Sequence, residues 1–311
     1  MRKKNYNTIF SHSQKCMKTT QQSYQNLNDM FGVEVYLKRE DLHAFGSHKG
    51  RSIPHMIEHY VQKENKTSFV ISSSGNAALS AIKYVRSHNR NNTETPLKLT
   101  VFVGQKIQPK KLIILETEKE EDAHITIIQT ERPKKEALHM HKTGTALNLR
   151  QSTDDLALEG YFELAKELAH IPNLSAIFIP TSSGTTAQAL GLEFEKLSEP
   201  KPQIHIVQTE HCHPMAEYFD TEFTHTETSL ASAIVDNVAH RKEKVIDIIK
   251  KSKGSGWIVS DEKIQSAIKL TEDTCEILVS PNSALSIAGL QKALDKGWKF
   301  DGSVACLITG T

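Results

Sequence analysis

The chain has no run of about 18 apolar residues, and no apolar stretch follows the basic cluster Arg2-Lys3-Lys4. Neither a membrane helix nor a secretory leader is expected, which makes a cytoplasmic protein the expectation. Net charge is nearly absent too, at +1 with the histidines neutral. No long basic stripe forms, so nucleic acid is not an expected partner. Cysteine is sparse: Cys16, Cys212, Cys275 and Cys306 are scattered without paired spacing, as reduced thiols would be. The one metal-like cluster is His211-Cys212-His213, whose adjacent side chains do not easily share an ion, so it reads as a loop and no metal is expected. Internal repeats and low-complexity tracts are lacking. At 311 residues and 38% hydrophobic content, the chain can form one large or two ordinary domains with a sizeable core.

Strand-like and helix-like runs alternate along the chain, which predicts parallel βαβ units and a doubly wound α/β fold. Val35 to Lys38 alternates as a strand, and Ile53, Met56, Ile57, Tyr60 and Val61 recur at helical spacing. Further strands are expected at 69–71, 97–103, 125–129, 176–179, 203–209 and 304–308. Further helices are expected at 108–115, 133–141, 246–251, 261–274 and 284–294, the last two opened by Asp261 and Ser283 as caps. The polar run 90–96 and the acidic run 116–122 read as solvated surface.

Four segments carry chemistry. Lys49 opens a helix behind a strand and a glycine break, so that it points into a crevice; a lysine in a first turn is otherwise a surface charge. Ser73-Ser74-Gly75-Asn76-Ala77 lies between the strand Phe69-Val70-Ile71 and a helix through Ala81, Ile82 and Val85. Exposed N–H groups at such a helix start suit a carboxylate or phosphate, and the alternative is an ordinary capped connection. Ser182-Ser183-Gly184-Thr185-Thr186 repeats this architecture after Ala176-Ile177-Phe178-Ile179, and a phosphate fits there. Finally Thr309 ends the buried-type strand 304–308, where open α/β sheets place ligands.

In that order and spacing, the four segments resemble the fold-type II pyridoxal phosphate enzymes, the tryptophan synthase β-like superfamily, over nearly the whole chain. The similarity is strongest to threonine synthases, through Lys106 to Leu112, Leu158-Glu159-Gly160, Ser229 to Ile234 and Val279 to Leu290. The resemblance implies two doubly wound α/β domains with mainly parallel sheets. The smaller, mobile domain spans 45–145, and the larger joins 1–44 with 146–311. It implies pyridoxal 5'-phosphate as cofactor, held by Lys49 as a Schiff base, with Lys49 then moving the α-proton of a small amino-acid substrate. Asn76 would bond the cofactor's phenolic oxygen, Ser182, Ser183, Gly184, Thr185 and Thr186 its phosphate, and Thr309 its ring nitrogen. His48 is similar to a histidine that contacts the phosphate, and Ser73, Ser74, Gly75 and Ala77 would receive the substrate carboxylate. A homodimer is the family's usual state.

The chain departs from that pattern at Gly50, where an acidic residue is usual, at Ala77, and in a phosphate loop with one glycine. In Thr153-Asp154-Asp155 two acids stand where the threonine synthase segment carries an arginine, and Arg150 is the nearest substitute. The expected activity is threonine synthase-like β/γ elimination or replacement on O-phosphohomoserine. The missing arginine favours a threonine or serine ammonia-lyase as the alternative. A pyridoxal phosphate-binding partner protein without turnover is a third reading, motivated by Gly50, Ala77 and the end of the chain at Thr311, which is expected to alter pocket closure or the dimer surface.

Overall fold

The structure, a computed structural model, describes residues 18–197 and 199–310. Arg2-Lys3-Lys4, Cys16 and Thr311 lie outside them. Among the described residues no helix is long and apolar enough to cross a membrane.

Two sheets organise the chain. The six-stranded sheet has the order β1-β2-β10-β7-β8-β9, from β1 (Gln21–Ser23), β2 (Val35–Arg39), β7 (Leu174–Pro180), β8 (Gln203–Thr209), β9 (Gly256–Val259) and β10 (Ser303–Ile308). Only β1 runs antiparallel, on the edge of β2. The four-stranded sheet has the order β5-β4-β3-β6, all parallel, from β3 (Ser68–Ser72), β4 (Lys98–Gly104), β5 (Ile125–Thr130) and β6 (Leu147–Asn148). Parallel strands need crossovers, so helices cover the faces and the central strands are apolar on both sides. β10 shows this pattern, with every residue buried between β2 and β7.

The helices are α1 (Gln25–Phe31), α2 (Lys49–Glu64), α3 (Asn76–Asn91), α4 (Pro109–Lys119), α5 (Pro133–Lys142), α6 (Leu156–Glu159), α7 (Phe162–Leu168), α8 (Thr185–Lys196), α9 (Lys242–Lys251), α10 (Asp261–Cys275) and α11 (Pro281–Asp295). One face of the large sheet packs Phe178, Val207 and Cys306 against Ile264, Leu285 and Leu290. The other packs Ile177, Ile206 and Leu307 against Leu164, Leu190 and Val245. A third core joins Ile53 and Ile57 of α2 and Ile82 of α3 to Val101 of β4.

Both cap expectations need correction. Ser260, not Asp261, caps α10, its side chain accepting from the Lys263 amide. Asp261 instead accepts from Ser229 Oγ and the Leu230 amide, so its carboxylate pins a loop. Ser280 caps α11 ahead of Pro281, whose missing N–H and fixed φ suit the first helical position. Ser283 is buried inside that helix and donates to the Gly310 carbonyl at 2.7 Å. α9 begins at Lys242, four residues before the expected start at 246.

Candidate active site

Lys49 is the first residue of α2, aimed by the chain between β2 and the helix. Its neighbour Gly50 fills a closed slot: a Cβ there would lie 2.4 Å from His43 Nδ1 and 2.6 Å from Phe45 Cβ. The usual acidic residue has no room, so the departure at this position follows from packing.

Behind Lys49 lies a buried ion cluster. Arg51 places its fork on Glu40 at 2.6 and 2.8 Å and on Glu167 at 2.8 and 2.9 Å. Lys38, fully buried, also meets Glu167. Burial is the largest single influence on the Glu40 carboxyl and raises it, but the Arg51 charge and hydrogen bond, with Thr19 and Lys38, together outweigh it and hold the group below the usual carboxylate range. For Lys38 burial wins and lowers the ammonium, although Glu167 opposes the shift.

His48 joins this wall to the end of β10. Its amide donates to the Thr309 carbonyl at 2.9 Å, and its Nδ1 lies 2.7 Å from the same oxygen. Because a carbonyl only accepts, Nδ1 carries the hydrogen and Nε2 presents a lone pair. Burial, helped by the Lys49 charge, pushes the imidazole down to about 3, so His48 is neutral near pH 7. Donation from Nε2 to a phosphate therefore requires a second proton on this ring.

The loop Ser73-Ser74-Gly75 follows β3, and Asn76 begins α3 with Gly75 as its cap. Ser182-Ser183 follows β7, and Gly184 turns into α8 with φ of +82°. That left-handed backbone suits glycine, and a Cβ would also press on Val245 Cγ2 at 2.8 Å. Thr185 and Thr186 open the helix, Ser183 Oγ lies 2.9 Å from Thr185 Oγ1, and Thr185 donates to the Gln151 carbonyl at 3.3 Å.

These pieces meet in one cleft of about 460 Å³. His48, Lys49, the loop 73–77, the loop 182–186 and Thr309 all line it. The donor set fits pyridoxal phosphate. A lysine amine faces a hydroxyl-rich helix start that suits a dianion, and Thr309 brings a neutral hydroxyl. A Cβ at Gly310 would fall 2.6 Å from Asn76 Nδ2, so the bare glycine leaves room for the asparagine side chain. Beside the lysine, the buried Ser47 Oγ has no hydrogen-bond partner among the described residues.

Three more basic residues line the cleft, of which only Arg150 had a role suggested from sequence, as the substitute for the missing arginine. Lys111 of α4 and Lys134 of α5 enter from the four-stranded sheet's side, and Arg150 follows β6. Asp236 is the one acid among the described lining residues. Lys111 Nζ donates to Ser232 Oγ at 3.1 Å, linking two segments quoted above for their similarity to threonine synthases. Arg150 donates to His240 Nε2 at 2.8 Å and to Ser152 Oγ at 3.2 Å.

The expectation that two acids stand at this end of the cleft is not met. Asp154 accepts from Tyr60 Oη at 2.7 Å, and Asp155 pairs with Arg241 at 2.7 Å; neither lines the cleft. The hydrogen bond from Arg241 is the main reason the Asp155 carboxyl sits below its ordinary range. His211 and His213 each turn Nδ1 to a backbone carbonyl, and Cys212 is buried with its thiol pushed up to about 11 by burial.

Two mainly parallel sheets with a lysine and a hydroxyl-rich helix start lining one cleft define the architecture, and it is one shared with a known family. Residues 13–310 match the family of pyridoxal-phosphate dependent enzymes, to which the chain belongs. A threonine synthase of Mycobacterium tuberculosis (strain ATCC 25618 / H37Rv) is 27% identical over 300 residues, covering 92% of this chain and 78% of that protein. A catabolic L-threonine dehydratase of Staphylococcus aureus (strain N315) is 24% identical over 286 residues, covering 89% and 78%. In fold, the chain is similar to the serine racemase of Dictyostelium discoideum, with a TM-score of 0.77, 20% identity and coverage of 94% and 92%. The expected fold class and cofactor are both met by these findings.

Proposed function

We propose that the protein is a threonine synthase-like lyase that takes an amino acid with an anionic leaving group, O-phosphohomoserine in the first instance, and eliminates or replaces that group by β/γ chemistry. The observation that carries this reading is the charge of the cleft. Lys111, Lys134 and Arg150 line it against Asp236 alone, while Asp154 and Asp155 are tied to Tyr60 and Arg241 outside it. A phosphate dianion needs such charge-assisted donors.

In this reading the residues divide the work. Lys49 Nζ would hold the cofactor covalently and, freed once the substrate's amine takes its place, would accept the substrate's α-proton and return it. Ser73, Ser74, Gly75 and Ala77 receive the α-carboxylate through the loop amides and hydroxyls at the start of α3. Asn76 bonds the phenolic oxygen, Ser182 to Thr186 hold the phosphate, and Thr309 meets the ring nitrogen. His48 braces Thr309 through its carbonyl. When bound, pyridoxal phosphate supplies the electron sink for the substrate's α-carbon. The uncharged hydroxyl of Thr309 would leave the ring nitrogen largely unprotonated and so temper that sink.

The proposal extends to a smaller mobile domain at 45–145 and a larger one from 1–44 with 146–311. The sheets support the division apart from its second boundary: β3, β4 and β5 fall within 45–145, the six-stranded sheet's strands fall between 21 and 39 and between 174 and 308, and β6 (Leu147–Asn148) pairs with β3 just past 145. A cytoplasmic homodimer belongs to the same reading, with molar mass by light scattering as its check.

A second reading, an ammonia-lyase on threonine or serine, draws on one observation: Arg150 is already bonded to His240 and Ser152. The test supplies the purified chain and pyridoxal phosphate with each substrate. Phosphate release with threonine formed supports the synthase, and 2-oxo acid from threonine or serine supports the lyase. Reaction with none of them removes both.

A further inference from the structure

We infer that Arg241 is a positioning residue of the phosphate site: by saturating the Gln151 carbonyl it frees the hydroxyls of Thr185 and Ser183 to donate to the cofactor phosphate. The inference rests on the reading that the phosphate lies at the start of α8.

Arg241 precedes α9, and its side chain is 3% exposed. All five of its donors are used. Nε and Nη2 reach the Gln151 carbonyl at 3.3 and 2.8 Å, Nη2 also reaches the Asp154 carbonyl at 2.7 Å, and Nη1 reaches Asp155 Oδ1 at 2.7 Å and Gln188 Oε1 at 2.9 Å. Four anchors besides packing thus fix a guanidinium under the turn where the chain enters α8. A Cβ on Gly184 would approach Arg241 Cβ to 3.5 Å, so the loop rests directly on this side chain.

The consequence lies in counting donors against lone pairs. A carbonyl oxygen has two lone pairs, yet three donors converge on Gln151: two from Arg241 and the hydroxyl of Thr185. The hydroxyl bond, at 3.3 Å, is the surplus one and the one that can rotate. While it points at Gln151, Thr185 offers its oxygen to Ser183 as an acceptor, and Ser183 spends its own proton there. Both protons are then spent on acceptors within the protein. Rotation of Thr185 toward an anion releases both donors, and Arg241 keeps the buried carbonyl satisfied. Without Arg241, the same rotation would leave a buried acceptor bare, a costly state that would hold the hydroxyls in their inward arrangement.

The experiment compares pyridoxal phosphate with pyridoxal, which lacks the phosphate, on the full chain stripped of cofactor. Dissociation constants come from the visible band of lysine-bound cofactor. Arg241→Lys and Arg241→Gln are expected to weaken pyridoxal phosphate about tenfold, as loss of one charge-assisted contact would, and to leave pyridoxal within about twofold. Parallel weakening of both ligands, or no change in either, overturns the inference. Where both Arg241 variants fail to fold, Thr185→Val is read beside Thr185→Ser. Only the valine variant should lose the preference for the phosphorylated ligand, and equal preference in all three chains overturns the inference. A native chain with no visible band at all removes the functional reading itself, a failure distinct from that of Arg241.

Discussion

The two helix starts that face each other across the cleft are built from opposite materials. Behind Lys49, the start of α2 rests on ions: Lys38 and Arg51 against Glu40 and Glu167, two charges of each sign and nearly all buried. Behind Thr185, the start of α8 rests on hydroxyls, amide groups and carbonyls, with Arg241 paired to an Asp155 whose side chain is 63% exposed. The first arrangement pairs its own charges, so what it delivers to Lys49 is geometry. The second leaves donors and a partly screened cation beside a helix N-terminus, which suits a dianion. A reactive amine needs to be held still, whereas a phosphate needs to be attracted, and the two walls are built accordingly.

The sharpest break of that contrast is Lys49→Ala. It is expected to abolish the visible band of lysine-bound cofactor and to lower turnover by about a thousandfold or more, the scale of removing the group that transfers the proton. Cofactor phosphate binding at the opposite wall should survive, measured as retained affinity for the phosphorylated ligand. Next in size is Arg51→Met, which strands Glu40 in the interior. Removing one partner of a buried pair is expected to cost about 3–5 kcal/mol, read by denaturant unfolding. The pH dependence should also invert. In the native chain Glu40 is depressed below its ordinary value of 4.5, so its contribution is complete above that pH and is lost as pH falls through the folded value. Without Arg51 burial prevails, the group is raised, and the variant should gain stability as pH falls through that raised value toward 4.5, on the other side of 4.5 from the native loss. An unchanged acid limb would dissolve the contrast between the walls.

The same contrast explains what was legible in the sequence. The strands at 69–71, 176–179 and 304–308 were readable because parallel strands buried on both faces are apolar throughout, and 203–209 was readable from Ile204, Ile206 and Val207 although it also carries His205 and Gln208. β1, with the polar sequence Gln21-Gln22-Ser23, carries no such signal because it is an edge strand paired on one side only. β9 was missed because four residues, Gly256 to Val259, are too short to show a period. At the site, loops joined to strong strands were readable, and the structure brings Lys49, the loop 73–77, the loop 182–186 and Thr309 into one cleft. Gln151 and Arg241 were not readable, because their contribution lies in contacts 90 residues apart in sequence. The two aspartates misled for a related reason: a match to the segment that carries the arginine in threonine synthases says nothing of side-chain direction, and Tyr60 and Arg241 draw these carboxylates elsewhere.

Arg150→Gln tests the positive end of the cleft with a smaller effect. One charge-assisted contact to a phosphorylated side chain is worth about 1.5–3 kcal/mol, so KM for O-phosphohomoserine is expected to rise at least about tenfold. Affinity for pyridoxal phosphate should not move, because that phosphate belongs to the start of α8. A fall in cofactor affinity matching the rise in KM would mean that one site serves both phosphates.

The smallest expected effect belongs to Asp154→Asn, and it separates position in sequence from position in space. Were the acids of 154 and 155 to face the substrate, neutralising one would relieve repulsion and lower KM for a phosphorylated substrate severalfold. In the structure Asp154 Oδ1 accepts from the Leu156 amide at 3.0 Å and Oδ2 from Tyr60 Oη at 2.7 Å. An asparagine keeps an oxygen for the amide and offers its nitrogen to the tyrosine, whose hydroxyl also accepts. Stability should therefore change by no more than about 0.5 kcal/mol, and KM by less than about twofold. The Tyr60 hydroxyl, raised by burial and by Asp154, should titrate at lower pH in the variant, because one of the influences raising it is gone. A tyrosine that responds while KM stays still would establish that this carboxylate faces α2 and not the substrate.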